Sequence, residues 1–402
     1  MKKLCLYTMK FPFGKEETFL ENEIDVLASE FDEVHIFPMN VVEGIREVPI
    51  NVRVHYLFDG FDYNQGHVGV LLSNLSAVLR VFFHDKKSGR IPHGGSMDKL
   101  HYILSFFGRS KRLKDFLKRE GLLNAVHYTF WFDLWATCLT FINFKSKISF
   151  YSRAHGFDLY EERGNHNFIH FRELQLKKVE TVFVVSKKGQ SYLQGKYPDY
   201  EHKVKTAYLG TVDNGKSPMP NSERLNVVSC SNVIPLKRVG SIIEILREVK
   251  GRVDWVHFGD GPLLEEIKKK SKSLPENIIC TFKGRVANKD VLKHYKSKPI
   301  DLFINLSETE GIPVSIMEAI SFGIPVMATN VGGTSEIVCE NTGWLINEEY
   351  TPAEVRTILE ENRGKMKDEV FRNNVRGFWE NNFNAEVNYK NFAEILLNGR
   401  GK

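Results

Sequence analysis

Two glutamates stand in the part of this 402-residue sequence that is best suited to binding an anion. Glu310 and Glu318 lie eight residues apart in the stretch DLFINLSETEGIPVSIMEAISFG, which begins at Asp301. The apolar run before Glu310 predicts a strand, and the residues after Gly311 predict a helix with Pro313 at its first position. The first amides of such a helix lack intrahelical partners and lie at the positive end of its dipole. The turn therefore predicts a phosphate site.

The two carboxylates would flank that phosphate. Helical side chains lean toward the helix N-terminus, so Glu318 can reach back toward a ligand that Glu310 faces from the turn. A ligand that is anionic at its centre and carries hydroxyl groups at both ends fits this arrangement, and a nucleotide-diphosphate sugar has that shape. The predicted donor-binding residues of this stretch are Glu310, Gly311, Ile312, Pro313, Val314 and Glu318.

The same residues resemble a known family motif. Glu310-Gly311-Ile312-Pro313, followed by Glu318-Ala319, resembles the glutamate, seven residues, glutamate motif of retaining glycosyltransferases of family 4, the glycosyl transferases group 1. Two glutamates alone carry little information, but the Gly, the Pro, the Ala and the flanking strands make the resemblance specific. It implies an α/β protein of the GT-B fold, with two doubly wound Rossmann-like domains facing a central cleft.

Length and the alternation of strand and helix patterns also predict two domains. We expect an N-terminal acceptor-binding Rossmann-like domain at 1–205 and a C-terminal donor-binding one at 206–375, each a parallel sheet covered by helices. From the resemblance, the final helical segment at 376–402 is expected to pack back on the N-terminal domain.

A second segment, SCSNVIPLKR, follows a predicted strand and begins a helix at residues 229–238. In the family this position carries an Arg and, five residues later, a Lys, which together bind the donor pyrophosphate. Lys237 matches the Lys, whereas Asn232 stands where the Arg is expected. An Asn donates only neutral hydrogen bonds, which are roughly half as strong as charge-assisted ones. The alternative for Lys237 is an ordinary surface lysine, although a helix N-terminus is a poor place for a cation.

Three further segments resemble parts of the family. His155, in SRAHGFD, matches the histidine loop and would contact the transferred sugar; a structural hydrogen bonder is the alternative. Gly14 lies where the family has a glycine-rich approach to the donor phosphate, and Glu17 and Thr18 at the helix start could contact the acceptor instead. Arg285 and Val286 fall in the segment whose backbone reads the nucleotide base. The resemblance gives His155, Lys237 and Glu310 as the catalytic residues and implies no metal.

The net charge of +5 is concentrated in one tract. Residues 80–120 contain eleven Lys or Arg and four acids, interleaved with five Phe. This composition predicts either a surface that rests on anionic lipid or two solvated helices whose Phe side chains face the core. Nucleic-acid binding is not expected, because no recognised motif accompanies the charge.

The five cysteines are odd in number and mostly lie in apolar runs, which indicates buried thiols and a cytoplasmic protein. No apolar run is long enough to span a membrane. We therefore expect a metal-independent, retaining, hexosyltransferase-type enzyme without a cofactor. It would transfer a sugar from a UDP- or GDP-linked donor to a glycan or lipid-linked acceptor in cell-surface polysaccharide synthesis. If the tract 80–120 rests on lipid, the enzyme would act at the inner face of the membrane. The alternatives are a catalytically weak nucleotide-sugar-binding partner subunit and another GT-B enzyme such as a nucleotide-sugar epimerase.

Overall fold

The computed structural model describes residues 1–58, 67–87, 96–163 and 167–399. The chain divides into two compact units, the first formed by Met1–Ala207 with Tyr389–Lys402 and the second by Tyr208–Asn388. The division falls two residues after the expected boundary. It also assigns residues 376–388 of the final segment to the second unit, whereas we expected the whole segment to belong with the first.

The first unit is built on a parallel sheet whose strands are mostly buried and apolar, as expected for strands covered on both faces. Its strands are β1 (Lys3–Thr8), β2 (Glu33–Pro38), β3 (Val52–Val54), β4 (Val126–Thr129), β5 (Phe150–Ala154), β6 (Thr181–Val184) and β7 (Val204–Thr206). Within the described residues their order is β3-β2-β1-β4-β5-β6-β7. Strand β7 lies next to β6 and completes one edge of this sheet.

The helices of the first unit cover both faces of its sheet. They are α1 (Phe19–Glu30), α2 (His67–Lys87), α3 (Ser96–Arg119), α4 (Leu134–Ile142), α5 (Arg172–Lys178) and α6 (Lys187–Lys196). Helix α1 buries Leu20, Ile24 and Leu27 on one face, the spacing of an amphipathic helix. Helix α2 is kinked at Asn74, where φ is −129° and ψ is 18°.

The second unit has the same design. Its strands are β8 (Leu225–Cys230), β9 (Val253–Phe258), β10 (Ile278–Phe282), β11 (Leu302–Asn305), β12 (Val326–Thr329) and β13 (Gly343–Ile346), in the order β10-β9-β8-β11-β12-β13. Its helices are α7 (Val239–Leu246), α8 (Leu264–Ser271), α9 (Asn288–Ser297), α10 (Val314–Ser321), α11 (Pro352–Glu361), α12 (Arg363–Met366) and α13 (Glu369–Asn382).

The final segment is broken into two helices. Helix α13 ends at Asn382, and a last helix, α14, spans Ala385–Asn398. The break occurs because Asn384 Oδ1 accepts the amides of Glu386 and Val387 at 3.0 and 3.4 Å and so begins a new helix. Of this segment, only the part from Tyr389 onward belongs to the first unit, with Phe392 in its core. None of the described helices combines the length and the apolar character needed to cross a membrane.

Candidate functional site

The loop that leaves β11 is fixed by polar contacts around Ser307. Asn305 Oδ1 accepts the amide of Ser307 at 3.0 Å, and Thr329 Oγ1 donates to its carbonyl at 2.6 Å. Both contacts are buried. They turn the chain at the carboxyl end of the strand, which is where open α/β sheets bind their ligands. Glu310 follows directly, and the segment 306–313 is called the glutamate loop below.

Lys237 and Glu310 are in contact at this position. Lys237 Nζ lies 2.6 Å from Glu310 Oε1, with 23% and 11% of the two side chains exposed. Asn305 Nδ2 lies 3.4 Å from the same oxygen. Sequence reasoning reached the two residues from separate motifs, and the structure brings them together. An anion bound by Lys237 would therefore have to share its charge with Glu310.

Two more contacts hold residues 229–238, called the lysine segment below, against the glutamate loop. The amide of Glu308 donates to the carbonyl of Leu236 at 2.8 Å, and Arg238 Nε lies 2.9 Å from Glu308 Oε1. Arg238 has a φ of 44°, a left-handed conformation that residues other than glycine rarely adopt. Since its guanidinium binds Glu308, it does not take the place of the arginine that is missing at Asn232.

Helix α10 begins one residue later than predicted. Pro313 is its N-cap, with a φ of −78° and a ψ of 105°, so this proline precedes the helix and does not occupy its first position. The Pro313 carbonyl accepts the amides of Ile316 and Met317 at 3.1 and 3.3 Å. The amides of Val314 and Ser315 come earlier and lie at the helix N-terminus, where no preceding helical carbonyl can accept them. The geometry of an anion site is thus retained.

A pair of glycines after β12 supports the same turn. The amide of Gly333 donates to the carbonyl of Gly311 at 2.8 Å. A Cβ added to Gly332 would lie 1.9 Å from the carbonyl oxygen of Glu310, and the φ of Gly332 is 53°. Only glycine fits there. Sequence reasoning missed Gly332, although paired glycines directly after a predicted strand are a signal of close backbone approach.

Glu318 lies on the second turn of α10. Asn288 Nδ2 donates to Glu318 Oε1 at 2.8 Å, and burial raises the pKa of Glu318 to about 7. The carboxyl group is therefore only partly ionised at neutral pH. A ligand hydroxyl that donates to it would favour the ionised form.

The other residues predicted to bind the donor occupy the loops after β8 and β10. Asn232 and Arg285 are exposed, and Val286 is half-buried. The loops come close to each other through Gly259, where φ is 143° and an added Cβ would lie 1.8 Å from the carbonyl oxygen of Ser231. All of these loops follow the carboxyl ends of adjacent parallel strands, as the glutamate loop does. The residues thus share one end of the sheet with Lys237.

His155 lies in the first unit, in the loop after β5. Asp158 Oδ1 accepts the amides of His155 and Gly156 at 2.8 and 3.1 Å and so fixes the loop. The imidazole packs on Phe130 and Trp131, with ring centroids 4.7 and 4.4 Å away. Both of its nitrogens are buried without a hydrogen-bond partner in the described part of the chain, and Asp158 Oδ2 is 3.7 Å away. Because the ring faces the Asp158 carboxylate, both the contact with the sugar and the structural role stay predictions.

The loop between β1 and α1 contains a buried carboxylate of its own. Glu17 accepts the amides of Met9, Lys10 and Phe11 at 2.9, 2.7 and 2.6 Å and the indole N–H of Trp131 at 2.6 Å. Its side chain is turned inward, and only 9% of the residue is exposed. The alternative that Glu17 contacts the acceptor does not fit, because each of its oxygens already accepts two hydrogen bonds from the protein.

Gly14 lies in the same loop and is required by the local backbone. Its φ is 65°, and its amide donates to the carbonyl of Gly44 at 2.9 Å. An added Cβ would lie 2.7 Å from Glu16 Oε2 and 3.0 Å from Val42. These contacts account for the glycine, and its approach to a donor phosphate stays a prediction.

The basic tract lies on α2 and α3, apart from residues 88–95, which are outside the described residues. Phe106 and Phe107 are buried in the core, which fits the interpretation of solvated helices, whereas Phe83 is 55% exposed. The tract therefore presents only part of its aromatic surface, and its contact with a membrane stays a prediction.

The described residues contain neither a candidate metal site nor a disulfide. No group of three or more His, Cys, Asp or Glu side chains is placed there to hold a metal ion. The five cysteines form no disulfide, and burial raises the pKa values of Cys138 and Cys230 to about 12.

The glutamate loop, Lys237 and α10 all fall within residues 214–378, which match the family model for glycosyl transferases group 1. Residues 214–378 form a glycosyl transferases group 1 domain. This agrees with the family that the glutamate motif resembles. The matched residues lie entirely within the second unit.

One curated relative of the group 1 domain is the amylovoran biosynthesis glycosyltransferase AmsK of Erwinia amylovora. It is 26% identical over 180 residues, which is 43% of this chain and 44% of AmsK. The chain thus spans less than half the length of this relative.

Solved structures resemble the whole chain. The lipopolysaccharide outer core galactosyltransferase WaaB has a TM-score of 0.71 at 14% identity and covers 99% of both chains. Anabaena HepE, in a complex with UDP-glucose, has a TM-score of 0.64 at 14% identity and covers 98% of this chain and 99% of its own. With its two parallel α/β sheets, this chain has the GT-B fold.

Proposed function

We propose that this protein is a retaining glycosyltransferase that transfers a sugar from a nucleotide-diphosphate donor to a glycan or lipid-linked acceptor. One observation carries the proposal: Lys237 and Glu310 are in contact 2.6 Å apart, in a loop that leads into the N-terminus of α10. A cation, open helix amides and a carboxylate together suit a diphosphate that is joined to a sugar.

The proposed roles of the site residues follow from the negative charge that develops on the donor during the reaction. The bond between the sugar and the phosphate breaks, and the leaving diphosphate gains negative charge. Lys237 and the amides at the start of α10 would stabilise that charge, which is the largest contribution the site can make. Glu310 would accept hydrogen bonds from sugar hydroxyls, and Glu318 from the ribose.

Retention of the anomeric configuration requires attack on the face that the diphosphate leaves. We propose that the acceptor hydroxyl attacks there and that the departing phosphate takes its proton, without a protein nucleophile or a metal. His155, whose imidazole nitrogens are buried and unpartnered among the described residues, would contact hydroxyls of the transferred sugar.

The donor is proposed to carry UDP or GDP. Support for UDP comes from HepE, which was solved with UDP-glucose. The named relatives and neighbours also favour a cell-surface product, since WaaB is a lipopolysaccharide outer core galactosyltransferase and AmsK is an amylovoran biosynthesis glycosyltransferase. We propose that the enzyme acts in the cytoplasm, with the tract 80–120 against the anionic inner face of the membrane.

A second candidate is a nucleotide-sugar-binding partner subunit with weak catalysis. It is favoured by Asn232, which is exposed and neutral where an arginine is expected, and by Glu17, which occupies the amides of the first loop. Both features would weaken the hold on a diphosphate.

Titration calorimetry with UDP-glucose and GDP-mannose tests the proposal. We expect one of them to bind, and Lys237→Ala to weaken that binding by about tenfold to a hundredfold, because a charge-assisted bond contributes ~1.5–3 kcal/mol. Lys272→Ala, which removes an exposed lysine at the end of α8, is the matched control. Binding of neither sugar nucleotide, or equal binding by Lys237→Ala, would refute the site. Slow release of UDP from the bound donor separates the enzyme from the partner subunit.

A further inference from the structure

We propose that Asn288 is a positioning residue for the nucleotide donor. Its side-chain amide holds one oxygen of the Glu318 carboxylate, so that the other oxygen is presented to the ribose hydroxyls. This inference rests on the proposed function, in which Glu318 accepts hydrogen bonds from the ribose. Asn288 belongs to none of the motifs of the sequence. Its expected effect is a preference of the site for donors whose ribose carries its hydroxyl groups.

Asn288 is the first residue of α9 and lies on the inward face of that helix. The buried residues of α9 are Val291 and Tyr295, which follow Asn288 by three and seven residues. These spacings place all three side chains on one stripe of the helix. Asn288 itself is exposed. The apolar stripe therefore ends in a polar side chain that can reach a neighbouring element.

The neighbouring element is α10, and aromatic packing holds the two helices in place. The ring of Tyr295 lies edge-on to Phe322, directly after α10, with the ring centroids 5.6 Å apart. It also lies edge-on to Phe303 of β11, at 6.5 Å. Such buried aromatic pairs stabilise the packing of α9 without any polar contact. The bond made by Asn288 is thus not needed to hold the helices together.

Asn288 makes its contact with Glu318 of α10. Its Nδ2 donates to Glu318 Oε1 at 2.8 Å. Among the described residues this is the only hydrogen bond that the Glu318 carboxylate accepts, and Oε2 accepts none. A carboxylate offers about four lone-pair sites, so one bond leaves room for a ligand. Fixing one oxygen also fixes the plane of the other, and a ligand hydroxyl then loses less entropy when it binds.

The charge of Glu318 depends on the same contact. Burial raises the pKa of Glu318, and the hydrogen bond from Asn288 lowers it. The other titratable groups beside it are the Cys230 thiol of β8 and the Tyr295 phenol, and burial raises the pKa values of both, so they stay neutral at pH 7. Loss of the Asn288 donor should therefore leave more of the carboxyl protonated. A protonated carboxyl is a weaker acceptor for a hydroxyl than a carboxylate is.

The place of Asn288 in the chain fits a role in donor binding. It follows Val286 by two residues, and Arg285 and Val286 form the segment that we predict to read the base. In a nucleotide the base is joined directly to the ribose, so a residue next to the base segment is suited to orient the ribose acceptor. The alternative is a structural bond between α9 and α10. That alternative predicts equal losses for nucleotides with and without ribose hydroxyls.

The test compares UDP-glucose with its 2′,3′-dideoxyribose analogue by titration calorimetry of the full-length protein at pH 7. GDP-mannose and its analogue replace them if that donor binds instead. The parent should bind the ribose form about tenfold to a hundredfold more tightly, as expected for a hydrogen bond to a charged group. Asn288→Ala should lower this ratio about fivefold or more, while its binding of the analogue stays within about twofold. Asn288→Asp keeps the shape but has no amide donor, and it should lose the preference at least as far.

A control and a pH series complete the test. Lys289→Ala removes the neighbouring exposed cation and should leave the ratio unchanged, because any lost attraction for an anion is the same for both nucleotides. In the parent the preference should fall as the pH is lowered through about 7, and in Asn288→Ala the midpoint should lie at higher pH.

Four results would overturn the role of Asn288. They are equal affinities for the two nucleotides in the parent, equal losses for both in Asn288→Ala, a preference that Asn288→Asp retains, and a midpoint that does not move. Each of them leaves the proposed function intact, since the parent still binds a sugar nucleotide. A parent that binds neither UDP-glucose nor GDP-mannose would refute the proposed function, and the role of Asn288 with it.

Discussion

The first loop of the N-terminal unit and the glutamate loop of the C-terminal unit make opposite use of a carboxylate. Each loop follows a strand of a parallel sheet and leads into a helix. In the first loop, Glu17 turns inward and accepts three backbone amides. In the second, Glu310 turns to Lys237, and the N-cap of α10 makes no side-chain hydrogen bond to the first amides of the helix. The first loop has filled its anion site with its own side chain, and we propose that the glutamate loop keeps its site for a ligand.

This difference indicates how one fold separates rigidity from binding. Amides that converge at a strand end form an anion site whatever the sequence around them. When a carboxylate of the protein accepts these amides, the site stabilises the fold. When the amides are left for an external anion, the site can bind a ligand. We therefore expect substitutions in the first loop to act on stability, and substitutions in the glutamate loop to act on turnover.

The largest effect is expected from removing Glu310. Glu310→Ala should lower the turnover of the proposed donor by about a hundredfold to a thousandfold, the loss that follows removal of one preorganised polar group from an active site. Its thermal midpoint should change less than its turnover, because the ion pair with Lys237 is only partly buried. Initial rates of UDP release measure the first effect. The control Glu340→Ala, at an exposed position of the same unit, should keep full activity. A similar loss of turnover in both variants would mean that the effect is not specific to the glutamate loop.

The next largest effect concerns Glu17. Glu17→Ala should reduce the free energy of unfolding by ~2–3 kcal/mol, because three amides and an indole N–H lose their acceptor in a buried place. Glu17→Gln retains one acceptor oxygen and should lose less. Urea unfolding measures both values. If the alanine variant were as stable as the parent, Glu17 would not support the loop. The proposed structural role of the first loop would then be wrong.

A third effect depends on pH. Burial raises the pKa of Glu318 to about 7 in the folded protein, from its usual value of 4.5. The folded state therefore binds the proton more tightly than the unfolded state, and stability falls as pH rises between these two values. Ionisation at pH 8 should cost ~2 kcal/mol, since each pKa unit corresponds to ~1.4 kcal/mol and the site is partly open to water.

Glu318→Gln removes this dependence. The variant should be more stable than the parent at pH 8 and nearly equal to it at pH 4, as measured by urea unfolding. The neighbouring Cys230 and Tyr295 do not interfere, because burial raises the pKa of the thiol to about 12 and that of the phenol well above 10. If the free energy of unfolding changed between pH 4 and pH 8 by the same amount in the variant and in the parent, Glu318 would be more solvated than its position indicates.

The sequence could predict the glutamate loop because its signals are contiguous: strand, Gly311, Pro313 and Glu318 follow one another. The alternating pattern likewise predicted most strands of both sheets. The resemblance placed Lys237 and Glu310 in one site, but no local pattern predicts contact between residues 73 positions apart. The same holds for Glu17, whose indole partner Trp131 is 114 residues away. The break before α14 depends on one cap, Asn384, and a single cap is a weak signal.

The smallest effect concerns how the glutamate loop is held. The first loop is fixed by a carboxylate of its own, whereas the glutamate loop depends on neighbours, among them Arg238, whose Nε lies 2.9 Å from Glu308 Oε1. Because this pair is partly exposed, Arg238→Gln should lower stability by less than ~1 kcal/mol. Turnover should fall by only a few-fold, since the bond from the Glu308 amide to the Leu236 carbonyl remains. Arg247→Gln, at the exposed end of α7, is the matched control for rate and stability. A loss as large as that of Glu310→Ala would mean that Arg238 itself contacts the donor, and the lysine segment would then hold two cations for the diphosphate instead of one.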